Sequence, residues 1–126
     1  MNPVSMHKKF RFILVISLFV LTLTACSNYE WDGRSQSWDA SFSYSSDNKT
    51  ASYTIKYIGE EASITGFSYQ FSGNVLTAFG GEEKKLQSPF QIKQKLSGKD
   101  YSKENSSVNL TIKWNGKEER LTLNKQ

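Results

Sequence analysis

The feature that most constrains this chain is a period of two in its apolar residues, recurring from residue 38 to the end. Val108, Leu110, Ile112 and Trp114 alternate with Asn109, Thr111 and Lys113. Trp38, Ala40, Phe42 and Tyr44 do the same, as do Ala51, Tyr53, Ile55 and Tyr57. Successive side chains of a strand point to opposite faces, so each such run predicts a strand with one buried face. Phe67, Tyr69 and Phe71 give another, Val75–Phe79 a short apolar one, and Phe90, Ile92 and Leu96 a further one. Leu121 and Leu123 mark a final strand. A helical period of ordinary length is nowhere visible.

Turn formers separate these runs: Ser46-Asp47-Asn48, Gly59-Glu60-Glu61, Ser72-Gly73-Asn74, Gly80-Gly81, Ser97-Gly98 and Asn115-Gly116. Asn and Gly both tolerate positive φ, so Asn115-Gly116 predicts a type I′ hairpin between Trp114 and the last strand. About seven short strands with such punctuation predict an all-β fold, an antiparallel sandwich of immunoglobulin-like size, with a small β-barrel as the alternative.

The N-terminus follows other rules. His7, Lys8, Lys9 and Arg11 precede an apolar stretch, Phe12 to Leu23, broken only by Ser17 and Thr22. That stretch is shorter than the roughly 20 residues of a membrane-spanning helix. A basic start, an apolar middle and small residues at the end form a secretory signal. Leu23-Thr24-Ala25-Cys26 holds the only cysteine of the chain and resembles the lipobox of bacterial lipoproteins. The resemblance implies that a signal peptidase recognises Leu23, Thr24 and Ala25. It implies cleavage before Cys26, lipid on that sulfur, and tethering at the extracytoplasmic face of a membrane. The expected organisation is a signal peptide over 1–25, a lipidated N-terminus and short tether over 26–37, and one β-domain over 38–126. The tether residues, Ser27 to Ser37, are polar and aperiodic, and span at most about 36–40 Å when extended. Tyr29 and Trp31 lie within them, placed either to pin the tether to the domain or to dip into the membrane interface.

Cleavage alters the electrostatics. Of the 16 basic residues, Lys8, Lys9 and Arg11 leave with the signal, while all 12 acidic residues stay, so a net charge of +4 falls to +1. A nucleic-acid partner, which a basic domain would suggest, loses its support. His7 is the only histidine and leaves as well.

A second resemblance covers most of the mature chain. Trp31-x-Gly33-x-Ser35-x-x-Trp38, a Tyr53–Tyr57 strand ending in Gly59, and Trp114-Asn115-Gly116-Lys117-x-Glu119 before a Leu-x-Leu strand are similar to a group of small Bacillus-type lipoproteins. That likeness implies a single β-sandwich domain behind a lipobox, and it brings no catalytic residue.

Without imidazole or free thiol, serine and cysteine triads and His/Cys zinc sites are excluded from the mature chain. No phosphate-binding glycine fingerprint is present. Paired carboxylates remain the one hydrolytic resource, in the manner of glycosidases. The candidates are Asp32, Asp39, Glu60, Glu61, Glu82, Glu83, Asp100, Glu104, Glu118 and Glu119, most of them in turn-like polar stretches. Glu82-Glu83 and Asp47-Asn48 lack the spacing of a calcium loop. The expectation is therefore no cofactor and no metal. Three tryptophans, six tyrosines and eight phenylalanines make aromatic rings the richer resource. Trp38, Phe42, Phe67, Phe71 and Trp114 are in phase with the core. Lys84, Lys85, Lys93, Lys95, Lys99 and Lys103 suit a solvated face or a guarded sheet edge. The functional expectation is a non-catalytic binding or interaction module of the cell envelope, held to the membrane by its N-terminal lipid and meeting a protein or envelope polymer there. A structural or immunity-type envelope lipoprotein, or a carboxylate-based glycoside hydrolase, is the alternative.

Overall fold

A computed structural model describes residues 28–97 and 99–126. They are all-β, with ten strands in chain order: β1 (Asn28–Arg34), β2 (Trp38–Ser45), β3 (Thr50–Tyr57), β4 (Ser63–Ile64), β5 (Phe67–Ser72), β6 (Ala78–Glu82), β7 (Leu86–Gln87), β8 (Gln91–Ser97), β9 (Val108–Trp114) and β10 (Lys117–Lys125). Eight form one antiparallel sheet in the order β6-β5-β9-β10-β1-β2-β3-β8, and β4 pairs with β7 separately.

The long sheet curls so that its two halves face each other. Trp38 of β2 stacks on Phe67 of β5 at 5.3 Å, and Tyr53 of β3 meets Phe71 of β5 at 4.9 Å. The alternation read from the sequence supplies the inward faces: β2 is buried at Trp38, Ala40, Phe42 and Tyr44, and β9 at Val108, Leu110, Ile112 and Trp114. At the centre lies Trp38, with its ring within 5.1–6.3 Å of Tyr57, Phe67, Phe90 and Trp114. Offset and edge-to-face rings of this kind add to the stabilisation from buried area. The predicted hairpin is present, with Asn115 at φ 48° and Gly116 at φ 71°.

Three expectations are corrected. Residues 28–34, taken as tether, form β1, which pairs along its whole length with β2 and joins the two halves through Trp31↔Lys125 and Asp32↔Asn124 of β10. The domain thus begins before residue 38. Gly33 explains the join: a Cβ there would sit 2.5 Å from the Thr122 carbonyl oxygen, so only glycine lets β1 approach β10 so closely. Second, Gly80-Gly81 is strand, not turn, and belongs to β6, whereas Val75 and Leu76 are buried ahead of it. Gly80 lies opposite Tyr69, and a Cβ on it would meet the Tyr69 hydroxyl at 2.5 Å, so the tyrosine ring covers the bare glycine. Third, the described residues form ten strands rather than about seven; besides β1, the two-residue β4 and β7 carry no alternation long enough to be read from sequence.

Candidate functional site

The sheet has two free edges, β6 and β8. The curl brings both onto one groove of about 390 Å³, whose lining includes Tyr53, Phe67, Tyr69, Gly80, Phe90 and Ile92. Its ends are tied down. At one end the β6–β8 connection is held by Ser88 N donating to the Ala62 carbonyl at 2.9 Å and Ser88 Oγ to the Glu61 carbonyl at 2.5 Å. At the other, Lys99 Nζ donates to the carbonyls of Asn74 and Val75 at 3.3 and 3.4 Å.

Within the groove the Tyr53 and Tyr69 hydroxyls share a hydrogen bond of 2.6 Å, and both side chains are almost wholly buried. Burial, and then the bond to Tyr69, pushes the Tyr53 hydroxyl well above the ordinary tyrosine range. The Tyr53 hydroxyl is thereby held in its neutral form and offers hydrogen bonding. On the rim of β6, Phe79 is 82% exposed, the one large apolar side chain so displayed among the described residues. It borders a second, shallower depression of about 290 Å³ over Ser68, Gln70, Thr111 and Lys113.

Of the candidate carboxylates, Glu82 at the end of β6 lines the groove, and the others lie elsewhere. Glu61 accepts from Trp114 Nε1 at 3.1 Å, Asn115 Nδ2 at 2.8 Å and Lys117 Nζ at 2.8 Å. The Lys117 and Asn115 bonds hold its carboxyl below the usual range. Glu119 accepts from Ser35 Oγ at 2.6 Å, Ser37 N at 3.0 Å and Ser37 Oγ at 2.9 Å. Partial burial would raise it, but those serine bonds and the Lys117 charge outweigh this and lower it. These two acids clasp loops to the β9–β10 hairpin. Asp39 pairs with Arg34 at 3.1 Å, and Asp100 accepts from Ser102 N and Oγ at 2.8 and 2.6 Å. The Asp32 carboxyl is pushed up by burial and by the Asp39 charge, the nearest approach to a coupled acid pair. Both acids sit on the β1–β2 strand pair rather than across the groove, Asp32 opposite Ser41 and Asp39 opposite Arg34.

Comparison with family models, with characterised proteins and with solved structures returns no match. What the chain does must be read from its own residues.

Cys26, Leu23, Thr24 and Ala25 lie outside the described residues. Trp31 is fully buried: its Nε1 donates to the Ser106 carbonyl at 3.1 Å, its ring lies 5.0 Å from Phe42, and Lys125 Nζ sits 5.5 Å above it. Trp31 belongs to β1 rather than to a tether, and its ring is at zero exposure. Tyr29 is half-buried, 6.2 Å from Tyr44 and 5.1 Å from Lys125 Nζ. Lys93 and Lys95 project from the outer face of edge strand β8, exposed, where they flank a polar lane formed by Ser43 and Ser52. Sequence reasoning missed the Tyr53–Tyr69 pair and the groove, because both depend on which strands end up at the edges. The available signal was Phe79-Gly80-Gly81, an aromatic beside two residues that leave a strand edge bare.

Proposed function

We propose that this chain is a lipid-anchored, extracytoplasmic binding module that engages a partner through the groove between β6 and β8. The single observation that carries the binding reading is the open side of the curled sheet, where two free strand edges, an exposed Phe79 and a lining of aromatic rings meet. Large exposed apolar side chains and unpaired strand edges are the usual means by which β-domains hold partners, and proteins otherwise suppress both. The acids most drawn into the fold, Glu61 and Glu119, serve to clasp loops, which favours binding over carboxylate catalysis. The anchor rests on the lipobox-like Leu23-Thr24-Ala25-Cys26. With β1 starting at Asn28, a lipid on Cys26 leaves a leash of about 7 Å to the first strand, so the partner is one that reaches the membrane face.

Two measurements test this reading. Metabolic labelling with a fatty-acid analogue should mark the wild-type chain and not Cys26→Ala, which should leave the membrane fraction; equal labelling and retention of both refutes the anchor. A photo-crosslinking residue at Phe79 should capture a partner in intact cells, whereas one at Thr122, on β10 away from the groove, should not. Capture from Thr122 alone would refute the groove as the binding face.

A further inference from the structure

The edges of the groove and its hydroxyl pair specify what kind of segment it takes. Faces of packed sheets stand about 10 Å apart, and neighbouring strands about 4.7–4.9 Å apart. The open side of a folded-over sheet is therefore about two strand spacings wide, room for one extended chain. Such a chain would find unpaired backbone groups on both sides, since β6 pairs only with β5 and β8 only with β3. The floor makes a matching offer. The Tyr53 and Tyr69 hydroxyls carry two hydrogens but share one bond, so whichever donates, the other hydrogen has no acceptor among the described residues. Both rings line the groove at 4% and 7% exposure, and the Tyr69 hydroxyl lies against Gly80 of the β6 edge. A buried O–H donor beside a strand edge suits a backbone carbonyl.

The two faces of the gap set the side chains. Inward positions would lie between Phe67 and Tyr69 on one side and Phe90 and Ile92 on the other, a setting of aromatic and aliphatic side chains that Glu82 and Gln94 also border. Outward positions would lie beside Lys93 and Lys95, neither of which has an ion-pair partner among the described residues, and opposite Phe79. We infer that the groove binds an extended segment of a partner protein, apolar at alternate residues and acidic between them. The segment would pair its main chain with β6 and β8 and accept a hydrogen bond from the tyrosine pair. This inference rests on the groove being the binding face, as proposed above, and adds the chemistry of the occupant.

The test uses the full chain in detergent micelles, isotopically labelled, titrated with acetylated and amidated heptapeptides. A peptide alternating valine and glutamate should give saturable amide shifts confined to β6, β8 and the tyrosine floor; alternating valine and lysine should not. Methylating two backbone nitrogens of the binding peptide removes strand pairing while keeping its side chains, and should weaken binding by about tenfold or more. The double substitution Tyr53→Phe/Tyr69→Phe replaces both partners of the hydroxyl bond by rings of the same shape, so folding is nearly unaffected while affinity falls about three- to tenfold. Reversing the rim charge with Lys93→Glu/Lys95→Glu should switch preference to the valine–lysine peptide. Absence of saturable shifts with either peptide, or equal binding by the N-methylated peptide, would overturn the inference. So would concentration-dependent doubling of mass with the same β6 and β8 shifts in the absence of peptide, which assigns the groove to a second copy. Capture of a partner from Phe79 combined with failure of these peptides would leave the binding face standing and reject only the extended-segment occupant.

Discussion

Replacing Trp38 by Phe should cost far less than its central position suggests. Its ring is fully buried and surrounded by Tyr57, Phe67, Phe90 and Trp114, so truncation to alanine falls in the range of about 3–5 kcal/mol for core aromatics. Phenylalanine keeps most of that ring, leaving a packing loss of about 1–2 kcal/mol. Against this stands the Trp38 Nε1, which is buried with no hydrogen-bond partner. An unsatisfied buried donor costs about 1–3 kcal/mol, and the substitution removes it. The two effects offset, and the net change is expected within about 1 kcal/mol of zero. Trp114 is the control, because it is equally buried and its Nε1 donates to Glu61 at 3.1 Å. Trp114→Phe loses packing and a hydrogen bond and gains nothing, so it must be the more destabilising of the pair. Urea denaturation followed by far-ultraviolet circular dichroism gives both values, since each variant keeps the same strands and the same m-value is expected. In a domain of this size each kcal/mol moves the midpoint temperature by about 4–8 °C, so thermal scans resolve the ordering too. A loss of about 3 kcal/mol or more for Trp38→Phe, or one equal to that of Trp114→Phe, would falsify the argument that the indole N–H is a standing cost in this core.

Two further substitutions follow from the same geometry. Gly80→Ala places a methyl 2.5 Å from the Tyr69 hydroxyl, so the ring must move, the Tyr53 bond lengthens, and stability drops by about 1–3 kcal/mol; a Tyr53 titration indistinguishable from wild type would contradict it. Acid sensitivity is expected from Glu61 and Glu119, whose folded-state values lie below their ordinary 4.5. Groups lowered on folding add stability above that ordinary value, and the contribution is lost as pH falls from there through the folded-state values. Denaturant midpoints should therefore decline below about pH 4.5, and Glu61→Gln/Glu119→Gln should flatten that decline; an unchanged slope would remove these carboxylates from the account.

Much of the fold was legible. Wherever an apolar residue recurs every second position over five or more residues, as in Trp38–Tyr44, Ala51–Tyr57 and Val108–Trp114, the strand appears with the expected face inward. Burial of one face is a local consequence of the pleat, so local pattern suffices. The Asn115-Gly116 hairpin was legible for the same reason, its positive φ being a property of those two residues. Residues 28–34 were not legible, because Tyr29 and Trp31 are too few to show a period, and β1 is held by partners supplied from β2 and β10. Gly80 and Gly81 read as a turn, and become strand only because Tyr69 and Ser68 of β5 stand opposite them.

The candidate site divides along the same line. The sequence by itself determined that the chain would be rich in aromatic rings and that its only histidine and only cysteine, His7 and Cys26, would lie ahead of the strand-forming pattern, because residue type and position alone decide both. It also determined the anchor expectation at Cys26, which depends on a linear recognition pattern. Only the tertiary structure decided which rings became core and which became surface: Trp31 went inside with its Nε1 on Ser106, while Phe79 stayed out. It alone decided that β6 and β8 would be the free edges and would face one another across a groove floored by Tyr53 and Tyr69. The physical reason is that strand alternation specifies a face but not a neighbour, and an edge exists only once every strand has chosen its partners.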